Sequence, residues 1–305
     1  MLIEIFAITF GCIIGSFLTV CIYRLPFASL AEEEAHDAQT NAINENDDGP
    51  SFPSTPPVPF ENLGISHPKR SFCPTCHKQL QWWHNIPVIS WIILGGKCAS
   101  CKTAISSRYP IVELLTAIAA LLCWKLFGVA STPTAVLIFA FTCAMIVISV
   151  IDYDYYIIPN VISIPGTILG LLIAALNQFT HIFEPPVVSG ILDSSLGMIS
   201  GAGFLFIVSE FYLRVRKIEG LGMGDVKLLA MTGAFFGVEC SLYTIFIGSV
   251  LGAVSGILLI IIKGRKMSQP LPFGPFLALA TLIYVYSGPT AVEDTADFIR
   301  SIVPW

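Results

Sequence analysis

The sequence predicts an all-α polytopic membrane protein with about eight transmembrane helices and one cysteine-containing loop outside the bilayer. Hydrophobic residues occupy 54% of the 305 positions and charged residues only 12%. That is about half the charged share of a soluble domain. Seven apolar runs approach the roughly 20 residues that a helix needs to cross the hydrocarbon core. A net charge of −5 at pH 7 argues against nucleic acid as a partner.

The apolar runs give the candidate spans in chain order. They cover residues 2–23, 110–127, 134–151, 158–176, 190–213, 241–262 and 271–287, and the short run 226–238 is a doubtful eighth. The eighth run is shorter than a bilayer normally requires. We therefore expect this helix to be short, shielded by its neighbours, or flanked by a locally thinned bilayer.

The basic residues indicate which helix ends face the cytosol. No Lys or Arg precedes the first run, which argues against a cleaved signal peptide and favours a retained helix with its N-terminus outside. With eight spans, 14 of the 16 basic residues lie on the cytosolic side, leaving Lys125 and Arg300 outside. Without the span at 226–238, the cluster Lys263, Arg265 and Lys266 would also fall outside. The positive-inside rule thus predicts both termini on the outer side.

The segment between the first two long runs divides the chain. Residues 1–26 form the first transmembrane helix, 27–68 an acidic insert, 69–109 a tetra-cysteine region, and 110–305 a membrane-embedded core. The insert carries eight Asp or Glu residues and no Lys or Arg. Such a polar segment buries too little apolar surface to offset its ordering entropy, so we expect a disordered cytosolic linker. The alternative is that its acids attract a basic peptide at the membrane surface.

Four cysteines in the loop predict a metal site. Cys73 and Cys76 form one Cys-x-x-Cys pair, and after 21 residues Cys98 and Cys101 form another. Two such pairs place four thiolates at the corners of a tetrahedron, the geometry that Zn²⁺ prefers. Disulfides are the rival explanation, but the predicted topology puts these thiols in the reducing cytosol. Because four protein ligands close the coordination shell, we expect a structural zinc rather than a catalytic one.

Aspartates at the predicted cytosolic boundary are the candidate catalytic groups. Asp152 and Asp154 follow the third run, and Asp225 lies in Gly222-Met223-Gly224-Asp225. Two carboxylates at one depth could share a proton, so that one activates water and the other polarises a peptide carbonyl. The structural alternative is that these acids pair with Lys227, with the Arg214 cluster or with lipid headgroups. Glu113 is a third acid at this level.

Six groups of residues, spread over nearly the whole chain, form a recognisable set of motifs. They are Gly15-Ser16-Phe17-Leu18 running to Tyr23-Arg24-Leu25-Pro26, the two cysteine pairs, Arg108-Tyr109-Pro110 with Val112-Glu113-Leu114, Asp152 with Ile158-Pro159-Asn160, Gly222-x-Gly224-Asp225-Val226-Lys227, and Pro272-Phe273-Gly274-Pro275-Phe276. Together they resemble the type IV prepilin peptidases, a family of bifunctional leader peptidases and N-methyltransferases of bacterial inner membranes.

The resemblance implies an aspartyl protease in which Asp152 and Asp225 are the catalytic pair, with Asp154 as the alternative for the first position. It implies cleavage after a Gly that ends the basic leader of a type IV prepilin or type II secretion pseudopilin, at the cytosolic face. It also implies methylation of the new N-terminal residue from S-adenosylmethionine. The residues that bind this methyl donor are unknown, and Glu113 is a weak candidate.

Other functions remain open from the residues. A peptidase without methyl transfer would carry the same aspartates, and an inactive assembly scaffold could be held by the zinc loop. A proton- or cation-coupled transporter also places acids in membrane helices. Its binding sites should lie near the bilayer midplane between repeats. The key aspartates lie instead at a predicted boundary, and the sequence has no convincing internal repeat, so this alternative is disfavoured.

Overall fold

The computed structural model describes residues 2–40, 71–217, 222–263 and 271–288. In these ranges the regular structure is helical, and the β pairing consists of two isolated antiparallel bridges, Phe72 with Gln79 and Lys97 with Ala104. The helices are α1 Leu2–Thr40, α2 Ile89–Ile93, α3 Arg108–Cys123, α4 Thr132–Tyr155, α5 Asn160–Thr180, α6 Ile191–Arg216, α7 Met223–Lys263 and α8 Gly274–Ser287. The all-α prediction is confirmed.

Membrane-spanning length is reached by six helical segments among the described residues. One of them, α7, is 41 residues long and breaks at Gly237, where φ is 80° and ψ is −170°. Counted on either side of this break, and together with the shorter apolar helix α8, the segments number eight, in agreement with the predicted count. The outward faces of the helices are apolar, with Leu172 and Phe211 among the exposed side chains. Extended apolar surface of this kind is typical of contact with lipid.

The doubtful span is a short helix covering residues 223–236. Its fourteen residues are about 21 Å long, less than the roughly 30 Å of a bilayer core. Leu228, Leu229 and Ala234 are at most 1% exposed, so the helix is shielded by its neighbours as expected. The break follows from the positive φ at Gly237, which glycine adopts without a steric penalty. The preceding turn is tied to the α5–α6 connection, because the Val188 N–H donates to the Phe235 carbonyl at 3.0 Å.

The first helix is longer than the apolar run predicts. It continues through Pro26 to Thr40, into the first part of the predicted insert. Residues 28–39 are rich in Ala, Leu and Glu, which have high intrinsic helix propensity, so an acidic composition did not by itself end the helix. Residues 41–68 lie outside the described residues, and the disordered insert stays a prediction.

The chain forms two compact units, residues 1–125 and 126–305. In the first unit α1 packs closely on α3 through two glycines of α1. A Cβ atom added to Gly11 would lie 2.6 Å from the Cα of Ala117, and one added to Gly15 would lie 2.6 Å from the Cα of Glu113. Small residues spaced four apart allow membrane helices this close approach.

In the second unit α7 packs on α5, α6 and α8, and α8 also packs on α4. Small and hydroxyl residues line the contact of α6 with α7. The Ser194 hydroxyl donates to the Ala234 carbonyl at 2.6 Å, and the Ser241 hydroxyl donates to the Gly197 carbonyl at 3.1 Å. Such hydrogen bonds between helices stabilise packing where no hydrophobic force is available. The central helix α7 is thereby fixed, and its N-terminus carries Asp225.

Candidate active site and metal centre

Asp152 lies in the last turn of α4, where the chain reverses into α5. Tyr156 ends α4 in a left-handed conformation, and its N–H donates to the Asp152 carbonyl at 2.9 Å. Extended backbone leads through Pro159, which occupies the N-cap position immediately before α5. The Asp152 side chain is 6% exposed. Its Oδ2 atom accepts a hydrogen bond of 2.9 Å from the N–H of Gly274, the first residue of α8.

Asp225 lies in the first turn of α7. Its N–H donates to the Gly222 carbonyl at 3.1 Å, which closes the turn formed by the glycine-rich motif. The Asp225 side chain is 7% exposed. A carboxylate in the first turn of a helix lies in the favourable field of the helix dipole. The same holds for Asp152 at the start of α8, so two helix N-termini converge on the two carboxylates.

The Ile158 side chain lies close to Gly224, which precedes Asp225, and to Gly274, which hydrogen-bonds to Asp152. A Cβ atom added to Gly224, the residue before Asp225, would lie 2.9 Å from the Ile158 Cβ. A Cβ atom added to Gly274 would lie 3.2 Å from the Ile158 Cδ1 and 2.7 Å from the Asp152 Oδ2. Both glycines therefore allow close approach to the same isoleucine.

The structure brings Asp152 and Asp225 together. Their carboxylates interact electrostatically, although 73 positions separate them in the sequence. Neither aspartate forms an ion pair with a described residue. Lys227, one candidate partner in the structural alternative, donates from Nζ to the Asn160 Oδ1 at 2.7 Å. Two buried carboxylates without a counter-ion favour sharing one proton, which is the arrangement of an acid–base pair.

The alternative first aspartate, Asp154, is only half-buried. It lies two residues beyond Asp152 and so about 200° further around α4. Its side chain therefore leaves the helix on nearly the opposite face. The difference in burial and direction favours Asp152 as the partner of Asp225, a distinction that sequence spacing alone left open.

Glu113 belongs to a different part of the protein, the first unit. It lies in the second turn of α3 and is 7% exposed. Its Oε2 atom accepts a hydrogen bond of 2.7 Å from the Val88 N–H, and the Ser16 side chain also hydrogen-bonds to it. Glu210, by contrast, pairs with Arg214 at 2.8 Å on an exposed face, as expected for residues four apart.

The four loop cysteines converge as their spacing predicts. All four Sγ atoms lie within 4.8 Å of one another, and Cys73 and Cys101 are 3.8 Å apart. A tetrahedral zinc with bonds of about 2.3 Å places its sulfur ligands about 3.8 Å apart. The donor set and its size therefore fit Zn²⁺. Cys73 and Cys98 are buried, whereas Cys101 is exposed.

The two Cys-x-x-Cys pairs are built in the same way. In each pair the residue after the second cysteine has positive φ, 55° at His77 and 62° at Lys102. Its N–H donates to the carbonyl of the first cysteine, at 2.8 Å in the first pair and 3.1 Å in the second. One antiparallel bridge closes each turn. Hydrogen bonding with the Thr103 hydroxyl, and then with its backbone N–H, lowers the pKa of Cys101 to about 6. The thiolate is the form that binds metal.

Two contributors to the aspartate site carried no predicted role in the sequence. Gly274 was part of a recognised motif, and Ile158 was part of another, but neither motif indicates what these residues touch. The contact of Gly274 with Asp152 joins positions 122 apart. A pattern of local periodicity contains no signal for such a pair.

Two protein-family models match the chain, one in its N-terminal part and one in its C-terminal part. Residues 9–127 match the bacterial Peptidase A24 N-terminal domain, and residues 139–257 match the type IV leader peptidase family. A relative from Stutzerimonas stutzeri is 33% identical over 295 residues, 96% of this chain and 94% of the relative. One from Pseudomonas aeruginosa is 32% identical over 292 residues, covering 95% and 92%.

A relative from Burkholderia pseudomallei strain 1026b is 35% identical over 283 residues, covering 92% of this chain and 84% of the relative. All three relatives carry the name prepilin leader peptidase/N-methyltransferase. No solved structure matches the chain significantly.

Proposed function

The chain belongs to the type IV leader peptidase family, and from this premise we propose that Asp152 and Asp225 are the catalytic pair of a prepilin leader peptidase. The protein is a multi-pass membrane enzyme, an aspartyl endopeptidase with N-methyltransferase activity. The observation that carries the assignment of residues is the buried, electrostatically coupled pair of carboxylates at the end of α4 and the start of α7.

The proposed reaction uses one proton shared by the pair. The ionised carboxylate takes a proton from water, and the water oxygen attacks the carbonyl carbon of the scissile peptide bond. The protonated partner donates a hydrogen bond to the carbonyl oxygen as negative charge develops there. Proton transfer to the leaving nitrogen then breaks the C–N bond and releases a carboxyl terminus and a free amine. Water is the only co-reactant.

Gly274 orients one of these groups. Its N–H donates to the Asp152 Oδ2, which leaves Oδ1 to face water or the shared proton. A fixed carboxylate needs no reorganisation when the transition state forms, which is the main source of electrostatic catalysis. Gly274 is therefore a positioning residue.

The substrates are proposed to be type IV prepilins or pseudopilins of type II secretion, each with a short basic leader cleaved after Gly. The distribution of Lys and Arg supports a bacterial inner-membrane orientation with both termini periplasmic and the aspartates at the cytosolic face. A helix-end position for both aspartates also disfavours the transporter alternative, whose sites belong near the midplane.

The cysteine cluster is proposed to hold a structural Zn²⁺ through Cys73, Cys76, Cys98 and Cys101. The bound ion would fix the two cysteine turns relative to each other, and it has no part in peptide hydrolysis. Methyl transfer is the second proposed reaction. S-adenosylmethionine, when bound, would supply the methyl group to the amine that cleavage releases, giving an N-methylated terminus and S-adenosylhomocysteine.

The test of the catalytic pair uses the purified full chain and a prepilin in detergent, with leader release followed by mass spectrometry. Asp152→Asn and Asp225→Asn should each lower the cleavage rate by roughly 10²–10⁴-fold, the contribution of a positioned acid or base. Asp154→Asn is the matched control and should cleave at nearly the wild-type rate. Normal cleavage by the Asp152 or Asp225 variant would remove that residue from the pair.

A further inference from the structure

The loop of the first unit exposes a group of large apolar side chains between its two cysteine pairs. This part of the loop contains the 3₁₀ turn Trp82–Asn85 and α2. The exposed side chains, here called the Trp–Ile surface, are those of Trp82, Trp83, Ile86, Ile89, Ile92 and Ile93. Trp82 is 76% exposed and Ile93 is 77% exposed. Concentrated apolar exposure of this kind marks contact with another protein or with a membrane.

The two faces of α2 differ in what they contact. Trp91 and Leu94 line the cavity beside the cysteine turns, and the Trp91 Nε1–H donates to the Ile105 carbonyl at 3.2 Å. A helix turns by about 100° per residue, and its opposite face carries Ile89, Ile92 and Ile93. Packing within the unit therefore uses the tryptophan face of α2, and the isoleucine face is exposed.

A hydrogen bond fixes the level of α2 against a membrane-spanning helix. The N–H of Val88, the residue before α2, donates to the Glu113 Oε2 at 2.7 Å. Glu113 lies about 8 Å along α3 from the start of the candidate span Arg108–Gly128. The headgroup layer on each side of the hydrocarbon core is about 5–8 Å thick. The exposed residues of α3 near this level include Ile111, Leu114 and Leu115. The start of α2 is therefore held near the depth where headgroups meet acyl chains.

The composition and charge of the loop suit an anionic lipid surface. Residues 71–107 contain no Asp or Glu, and their three lysines, all exposed, are Lys78, Lys97 and Lys102. Tryptophan is enriched at membrane interfaces because its ring is apolar and its N–H is polar. Isoleucines supply apolar area to bury, and lysines are attracted to anionic headgroups. A protein partner would cover the same apolar side chains, but it would not explain why they are tied to the entry of a span.

We propose that the Trp–Ile surface lies in the bilayer interface, with the two tryptophans at the headgroup level and the isoleucines of α2 against the acyl chains. The partner is a phospholipid bilayer with anionic headgroups. Docking also holds the cysteine turns at this depth, because Trp91 on the inner face of α2 packs close to Gly96, beside the second cysteine pair. This lipid contact is independent of peptide hydrolysis and of methyl transfer.

Tryptophan fluorescence of the zinc-containing full chain tests this placement in nanodiscs of phosphatidylcholine and phosphatidylglycerol. The difference in emission between the wild type and Trp82→Phe/Trp83→Phe reports on these two rings. Lipids brominated at known positions along the acyl chain should quench this emission and place the rings about 5–10 Å below the bilayer surface, the depth of interfacial helices. Aqueous iodide, which reaches both faces of a nanodisc, should quench it weakly. Strong quenching by iodide with none by brominated lipid would overturn the proposal.

Ile92→Ser/Ile93→Ser tests whether α2 holds the surface in the interface. Both side chains are exposed, so packing within the unit stays in place. The change should raise iodide quenching of the two tryptophans about twofold or more, because apolar area that anchors them is lost. Gln79→Ser, an exposed change elsewhere in the loop, is the matched control and should alter neither kind of quenching. An equal response of the two variants would refute the role of α2.

Lipid composition and added substrate distinguish the remaining outcomes. Nanodiscs of phosphatidylcholine alone should give less quenching by brominated lipid than those with phosphatidylglycerol, because the lysines then have no anionic headgroups to attract them. Equal quenching in both would refute the anionic preference. If the two tryptophans became shielded from iodide only after a prepilin was added, the surface would belong to the substrate, and lipid contact would be refuted.

Discussion

Gly274→Ala is the substitution that most directly tests how the aspartate pair is positioned. The added methyl carbon would lie 2.7 Å from the Asp152 Oδ2 and 3.1 Å from its Cγ. Carbon and oxygen atoms do not approach this closely without repulsion, so the carboxylate must move. The movement costs its hydrogen bond to the residue 274 N–H, now 2.9 Å long. A hydrogen bond to a charged group is worth about 1.5–3 kcal/mol.

If this energy is expressed in the transition state, kcat for leader cleavage should fall by roughly 10- to 150-fold, since each 1.36 kcal/mol is tenfold in rate. KM should change little, because Gly274 is proposed to act on Asp152 and not on the substrate. The protein should remain folded, because the close contacts of the added methyl group are with side-chain atoms of Asp152 and Ile158 and not with backbone. The assay is steady-state cleavage of a prepilin, with thermal unfolding measured on the same preparation.

Gly203→Ala is the matched control. Gly203 also lies in a helix of the second unit, but a Cβ atom there would meet nothing within 4 Å. This variant should cleave at the wild-type rate. Wild-type kcat in Gly274→Ala would refute the positioning role. A fall in kcat accompanied by an equal fall in Gly203→Ala would show that general helix effects, and not the Asp152 contact, control the rate.

Three further predictions follow from other parts of the structure. Cys98→Ser should lower bound zinc well below one ion per chain in metal analysis of protein purified without chelator, whereas Cys12→Ser should not; a wild-type protein without metal would contradict the zinc assignment. Gly237→Ala should destabilise the protein by about 1–2 kcal/mol, because φ at this position is 80° and a Cβ atom would lie 3.0 Å from the Val188 side chain. The loss should be measurable as a lower thermal midpoint than that of Gly203→Ala. Deletion of residues 30–64 should weaken binding of the basic leader most strongly at low salt, where screening is least; cleavage kinetics independent of salt and deletion would leave the segment a linker.

Much of the membrane topology could be predicted from the sequence, because it depends on composition along the chain. The span at 226–238 is the informative case. Its length argued against a crossing, and only the cluster at 263–266 required one. The structure gives a short, shielded helix ending at Gly237, so charge balance was the better guide. The orientation itself stays a prediction.

The extension of α1 to Thr40 and the detailed surroundings of the aspartates were not predicted. The first depends on a competition between helix propensity and charge, which a composition argument resolves poorly. The second depends on contacts such as Gly274 with Asp152, which exist only after α4 and α8 have packed. The convergence of the four cysteines, in contrast, was predicted, because the short spacing within each pair nearly determines the geometry that four thiolates can adopt.

The residues that hold α7 in place differ from the residues that position the two catalytic carboxylates. The first part of α7 is fixed by completely buried side chains such as Leu229 and Ala234, about one turn and two and a half turns beyond Asp225. The carboxylates themselves lie at helix ends, and their approach depends on Gly224, Gly274 and the side chain of Ile158 between them. Replacing either aspartate with Asn leaves the apolar contacts of α7 in place and also removes one of two acids that compete for a single proton in a buried site. The Asn variants should therefore be at least as stable as the wild type while inactive, and a large loss of stability would mean that the carboxylates hold the helices together.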